Sequence, residues 1–283
     1  MNGKHHKLVM ALLVSMAATE ARAQDAIVDQ LTVPFSDPAR PGTIRVGLLN
    51  GSIRVVGYEG KDVQLTARVR SDGSEVENDH DDDSQRAKSA GMRRLHNTST
   101  GLVVEEDDNI MEVQIEGMNR TVDVTLKVPH RISLELNTTN DGDINVDGVE
   151  GEFEVNNTNG PVTLTNVSGS VVAHALNEDL VVRFLKVDPK KSMSFSSMNG
   201  DIDVTLPAAA KADVRIKSDN GEIYTDFDIQ MSQHSPRVEE TKERTKGKKY
   251  QVRVDNSMTG SLNGGGPELR FESFNGNIYI RKK

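Results

Sequence analysis

Asn140-Asp141-Gly142-Asp143-Ile144-Asn145-Val146 is the stretch whose reading decides the fold. It opens on an Asn/Asp-Gly pair, which favours a sharp turn, and continues with strict alternation. Ile144 and Val146 point to one side of a strand while Asp143 and Asn145 point to the other. The same phrase recurs as Asn50-Gly51-Ser52-Ile53-Arg54-Val55, as Asn159-Gly160-Pro161-Val162-Thr163-Leu164 and as Asn199-Gly200-Asp201-Ile202-Asp203-Val204. It returns as Asn220-Gly221-Glu222-Ile223-Tyr224 and Asn275-Gly276-Asn277-Ile278-Tyr279-Ile280, with a degenerate copy at Asn177-Glu178-Asp179-Leu180. From Gly142 to Gly221 the turn position advances in steps of 18, 18, 22 and 21 residues. Gly151 and Gly169 mark half-steps.

A turn that returns at constant phase fits stacked coils better than a meander of hairpins. The pattern predicts an all-β fold: a single-stranded, parallel, β-helix-like solenoid with right-handed coils of 18–22 residues. In that arrangement the leading residues Asp141, Asn159, Asn177, Asn199, Asn220 and Asn275 stand above one another, their asparagines forming an amide ladder. The glycines supply positive φ at the turns. A lone coil buries about four aliphatic side chains, at ~2 kcal/mol each. Ordering its 18 residues costs about 1.5 kcal/mol per residue, so only an array can fold.

Outside the repeat, Lys4 and Lys7 precede the apolar run Leu8–Val14, and Ala21-Arg22-Ala23 matches a cleavage site; residues 1–23 read as a secretory signal peptide. Its removal takes away three basic residues and one acid, moving the net charge from −9 to −11. Residues 24–128 read as opening coils and a cap, with strands at 43–46, 52–56, 63–69, 102–105, 111–115 and 122–128. Residues 129–283 read as the regular array. Each segment holds a charged insertion: in the first an acidic one at 71–100, with Asp79 and Asp81 near its tip and a short helix at 85–95, and in the second a largely basic one at 230–249 with Lys246 and Lys248.

The chemistry-bearing residues are sparse. With no Cys among 283 residues, disulfides, thiolate metal sites and cysteine nucleophiles are excluded. The acidic balance, 43 Asp and Glu against 34 Lys and Arg, argues against nucleic acid as partner. No histidine pair has metal-binding spacing, and no nucleophile-elbow or phosphate-loop pattern occurs. The expectation is therefore no catalytic residue, no metal and no cofactor. Asp179, Asp201 and Glu222 follow successive turns; stacked ~4.8 Å apart, two carboxylates repel by about 0.9 kcal/mol in water, which hydration or a cation can relieve. Tyr224 and Tyr279 share one phase of the repeat and form the single hint of a binding strip.

The succession Val128-Pro129-His130-Arg131-Ile132-Ser133-Leu134, then Asn140-Asp141-Gly142-Asp143-Ile144, then Ser197-Met198-Asn199-Gly200-Asp201-Ile202 resembles the bacterial putative-adhesin family. The resemblance covers about residues 40–283 and implies an exported β-solenoid with an adhesive or envelope-scaffolding role. It transfers no catalytic residue. The expected function is an exported, non-enzymatic surface for an unknown protein or cell-envelope partner, in the periplasm, on the cell surface or secreted. The alternative is a solenoid that binds or cleaves polysaccharide.

Overall fold

The computed structural model describes residues 28–70, 99–117, 120–232, 238–240, 252–254 and 257–283. The signal segment, Asp79, Asp81, the 85–95 helix, Lys246 and Lys248 lie outside the described residues.

The first strands are β1 (Val28–Val33), β2 (Gly42–Asn50), β3 (Ile53–Tyr58), β4 (Val63–Val69), β5 (Leu102–Asp107), β6 (Ile110–Ile115) and β7 (Val122–Pro129). The middle holds β8 (Ile132–Asn140), β9 (Ile144–Asp147), β10 (Glu150–Asn157), β11 (Val162–Ala175), β12 (Leu180–Val187), β13 (Met193–Ser197) and β14 (Ile202–Leu206). There follow β15 (Ala212–Ser218), β16 (Ile223–Thr225), β17 (Ile229–Met231), β18 (Val238–Glu240), β19 (Val252–Val254), β20 (Met258–Leu262), β21 (Glu268–Ser273) and β22 (Ile278–Lys282). The six strand segments expected before residue 128 overlap β2 to β7.

Two parallel ladders run through the molecule. One has the spatial order β6-β2-β8-β10-β11-β13-β21-β15. The other is β7-β3-β9-β11-β12-β14-β22-β16. Strand β11 serves both, turning the corner near Asn166, whose φ is 53°. The ends are different. β5 pairs antiparallel with β6, β4 with β7 and β1 with β4; β20 pairs antiparallel with both β15 and β17.

The expected single-stranded parallel solenoid is thereby overturned. The fold is all-β, but twenty strands form one mixed-orientation sheet, nearly closed and barrel-like around its core, with antiparallel pairs at its ends. The reason is local. The glycine-punctuated phrase reports only strands that pair in parallel, and β1, β4, β5, β17 and β20 do not carry it. Between β5 and β6, Asp108 and Asn109 take φ of 47° and 66°, the two-residue turn that closes an antiparallel hairpin.

Chain order is also not spatial order. Ile278 lies between Ile202 and Ile223, so the last copy of the repeat sits between the copies at 199 and 220. At the other end Ile53 lies between Val124 and Ile144. Alternation supplies the core in columns. Val113, Val46, Leu136, Val155, Ala173, Phe195, Phe271 and Ile216 are partners in sequence across the first ladder, and all are buried. Phe195 stacks on Phe271 with centroids 5.1 Å apart, and Phe184 meets Phe195 edge-on at 6.4 Å.

Backbone crowding at the turns explains the glycines. A Cβ on Gly142 would lie 1.9 Å from the carbonyl oxygen of Gly51, and one on Gly276 would lie 2.0 Å from that of Gly200. Gly51, Gly160, Gly200 and Gly221 face neighbouring carbonyls at 2.0–2.1 Å in the same way. Of these six only Gly51 has positive φ. Five of these turns therefore require glycine for close approach between rungs and not for a positive φ, and Gly51 requires it for both. At three of these turns a serine beneath satisfies the glycine N–H: Ser197 accepts from Gly200 (2.8 Å), Ser218 from Gly221 (3.0 Å) and Ser273 from Gly276 (2.9 Å).

Gly276→Ala should destabilise the fold by about 1–3 kcal/mol, because the opposing atom is backbone and cannot move aside. Ser273→Ala should cost a similar ~1–3 kcal/mol through an orphaned buried N–H. Denaturant unfolding of each variant measures both.

Candidate functional site

The residues that precede each turn asparagine build the most distinctive outer surface. Because strand residues alternate, Ser197 and Ser273 face inward, while Met198 and Phe274 face out. The backbone N–H of Met198 donates to the Leu176 carbonyl (3.1 Å), and that of Phe274 donates to the Ser197 carbonyl (3.3 Å). Leu176, Met198 and Phe274 therefore stand on successive rungs, and they are 43%, 46% and 47% exposed.

They border an open groove of about 650 Å³. Its other side carries the outward column Asn156, His174, Ser196, Glu272 and Lys217. The His174 Nδ1 and the Ser196 hydroxyl are hydrogen-bonded. Lys217 reaches Asp219 at 3.2 Å and Glu272 at 3.8 Å, and Glu272 also holds Arg270 at 2.9 Å. The groove's charges are thus largely compensated, and its uncompensated feature is apolar. Exposed aliphatic and aromatic side chains gathered in one patch are a mark of contact surfaces.

Beside this ridge runs a chain of amides. Each Asn Nδ2 donates to the Oδ1 of its neighbour, in the order Asn220, Asn275, Asn199, Asn177, Asn159, Asn140 and Asn50, at 2.8–3.2 Å. Asn140 occupies the place expected for Asp141, which has φ of 55° and lies outside the ladder. Glu178 stands in the glycine position without interrupting it, since Asn177 still bonds both neighbours.

The carboxylates after the turns form a second column with a different answer to their charge. Asp179 accepts from the N–H of Asp201 (2.8 Å), Asp201 from that of Asn277 (2.7 Å), and Asn277 from that of Glu222 (2.9 Å). Asn277 therefore separates Asp201 from Glu222, and the backbone takes the role that a cation would have. Among the described residues, no group of three or more His, Asp or Glu side chains is arranged to hold a metal ion.

Tyr224 and Tyr279 do meet. Their rings stack at 5.2 Å, 8° from parallel, on the face opposite the core in the second ladder. Arg281 lies over Tyr279 at 5.1 Å and binds Asp203 at 2.9 Å. The Glu222 carboxylate accepts the Tyr224 hydroxyl proton in a hydrogen bond, which pushes the Tyr224 phenol above its ordinary range.

The sequence reading did not single out Leu176, Met198 and Phe274. Their signal was present: each is the residue before the asparagine of a repeat copy, a column visible once the copies are aligned.

These features define an all-β repeat protein with an open groove bordered by exposed apolar side chains. The chain belongs to the Toastrack DUF4097 family, whose model matches residues 113–258. No curated protein matches the chain. Among solved structures it is similar to a putative cell adhesion protein of Clostridium sporogenes, at 12% identity and TM-score 0.42 over 91% of this chain and 100% of that one. A putative adhesin of Bacteroides fragilis gives 13% identity and TM-score 0.35 over 92% and 98%. A putative lipid binding protein of Parabacteroides distasonis gives 11% and 0.28 over 90% and 96%.

Two outcomes check the electrostatics. Glu222→Gln should lower the Tyr224 pKa in a spectrophotometric titration, since removing the carboxylate removes the chief reason for retaining the proton. A chelator should leave the melting temperature unchanged, because backbone N–H groups already serve the Asp179–Asp201 column.

Proposed function

We propose that this chain is an exported, non-enzymatic binding protein of adhesin type, and that the groove beside Leu176, Met198 and Phe274 holds its protein or cell-envelope partner. The observation that carries the reading is the alignment of those three large apolar side chains in the open. The core is complete without them, so burial in a partner is the gain their placement offers.

Catalysis is the weaker reading of the same groove. A serine nucleophile needs its histidine oriented by a third group and donors for an oxyanion. Among the described residues the hydrogen bond formed by the His174 ring is the one to Ser196. The acids at the far side are engaged with Lys217 and Arg270. Export is supported by the Lys4, Lys7, apolar-run and Ala21-Arg22-Ala23 pattern. No helix among the described residues is long and apolar enough to cross a membrane. The turn residues Asn50, Gly51, Gly142, Asn159, Gly160, Asn199, Gly200, Asn220, Gly221, Asn275 and Gly276 serve as scaffold in this reading. The charged segments with Asp79, Asp81, Lys246 and Lys248 serve as auxiliary contacts.

The stacked Tyr224–Tyr279 pair favours a second reading, polysaccharide binding, since a flat ring can pack against sugar C–H groups. One experiment separates the two. Purified full chain is titrated onto envelope preparations and onto soluble polysaccharides, alongside L176S/M198S/F274S and Tyr224→Ala variants of unchanged melting temperature. The groove reading expects the triple variant to lose at least about tenfold in envelope affinity, roughly 1.4 kcal/mol, with Tyr224→Ala unaffected. The opposite pattern, with polysaccharide bound through Tyr224, overturns it.

A further inference from the structure

A second concavity lies away from the groove, where the segment before β2 meets the β3–β4 turn and the start of β8. It measures about 320 Å³, and its lining includes Arg40, Lys61 and Arg131 but no carboxylate. In a chain of net charge −9, three cations around one hollow are against the general trend. Arg40 is fixed at the mouth by Asp37 at 3.1 Å and Asp108 at 2.7 Å, the latter bond being the main reason its guanidinium holds its proton more firmly than usual. Lys61 and Arg131 form no ion pair and no side-chain hydrogen bond among the described residues. With Arg40 already paired, Lys61 and Arg131 are the two charges left to raise the local potential and attract an anion.

The walls are apolar and stiff. Phe35 and Ile132 are buried, and Pro38, Pro41 and Pro129 also line the hollow. Proline fixes φ, so the hollow is largely preformed and a ligand loses little to ordering it. Its volume suits one small polar headgroup with a short organic body.

We propose that this cleft binds a phosphate ester, with Lys61 and Arg131 as the groups that neutralise it. A phosphate monoester carries about −1.5 to −2 at neutral pH, which balances two unpaired cations; a carboxylate would balance one. The guanidinium fork of Arg131 matches two phosphate oxygens, while Lys61 contributes a point charge. The apolar walls accept the carbon body of the ester. This site is separate from the groove and does not depend on it.

The test uses the full chain. Glycerol phosphate, inorganic phosphate and lactate are titrated by calorimetry, and vesicles of phosphatidylcholine with or without phosphatidic acid are sedimented with the protein. Saturable binding of glycerol phosphate or of phosphatidic acid vesicles, lost at least tenfold in K61A/R131A and reduced in Lys61→Ala, is the expected result. Binding in solution alone marks a free ester as ligand; binding to vesicles marks a lipid headgroup. L176S/M198S/F274S should bind these probes as the wild type does, which separates this site from the groove. The proposal falls if no phosphate probe binds, if binding survives K61A/R131A in a protein of unchanged melting temperature, or if lactate binds equally well.

Discussion

The close approach of one turn to the next governs this structure. Successive rungs come so near that a carbonyl oxygen occupies the place where a Cβ would be at Gly142, Gly160, Gly200, Gly276 and Gly221. Everything lateral follows from that spacing. The amides of the asparagine ladder reach one another because the turns are in contact. The side chains after the turns likewise reach the next backbone N–H, as Asp179 does at Asp201. At the same spacing the inward columns bring Phe195 and Phe271 into a buried stack. Such an interior is a stack of nearest-neighbour contacts, and its stability is collective.

What the amino-acid order revealed was the part of the fold written as repetition. The alternation around Ile144, Val162 and Ile202 gave the strands, and the shared phase of Tyr224 and Tyr279 placed two rings that do stack. The topology was less legible. Nothing in Asn275-Gly276 distinguishes a last rung from one inserted between its predecessors, since the pairing of Ile278 with both Ile202 and Ile223 is a long-range choice. The antiparallel ends were hidden for a related reason: they rest on ordinary hairpin turns such as Asp108-Asn109 and carry no repeat. The basic cleft was hidden too, because Arg40, Lys61 and Arg131 are neighbours only after folding.

The two surfaces differ in physical character. The groove presents apolar side chains with compensated charge at its flank, and so rewards a partner that brings apolar area. The cleft presents charge with apolar walls behind it, and so rewards a small anion. One set of rungs supports both, because outward positions carry no packing duty and can vary without disturbing the inward columns.

The interleaving at the ends has a consequence for how the chain is assembled. β21 and β22 are wedged between β13–β14 and β15–β16, although they follow all four in the sequence. The rung made by β15 and β16 thus joins the central rungs only through β21 and β22, which are made after it. In a chain growing from its N-terminus the central rungs have all their strands early, whereas β15 and β16 are bolted to them only once β21 and β22 have been made.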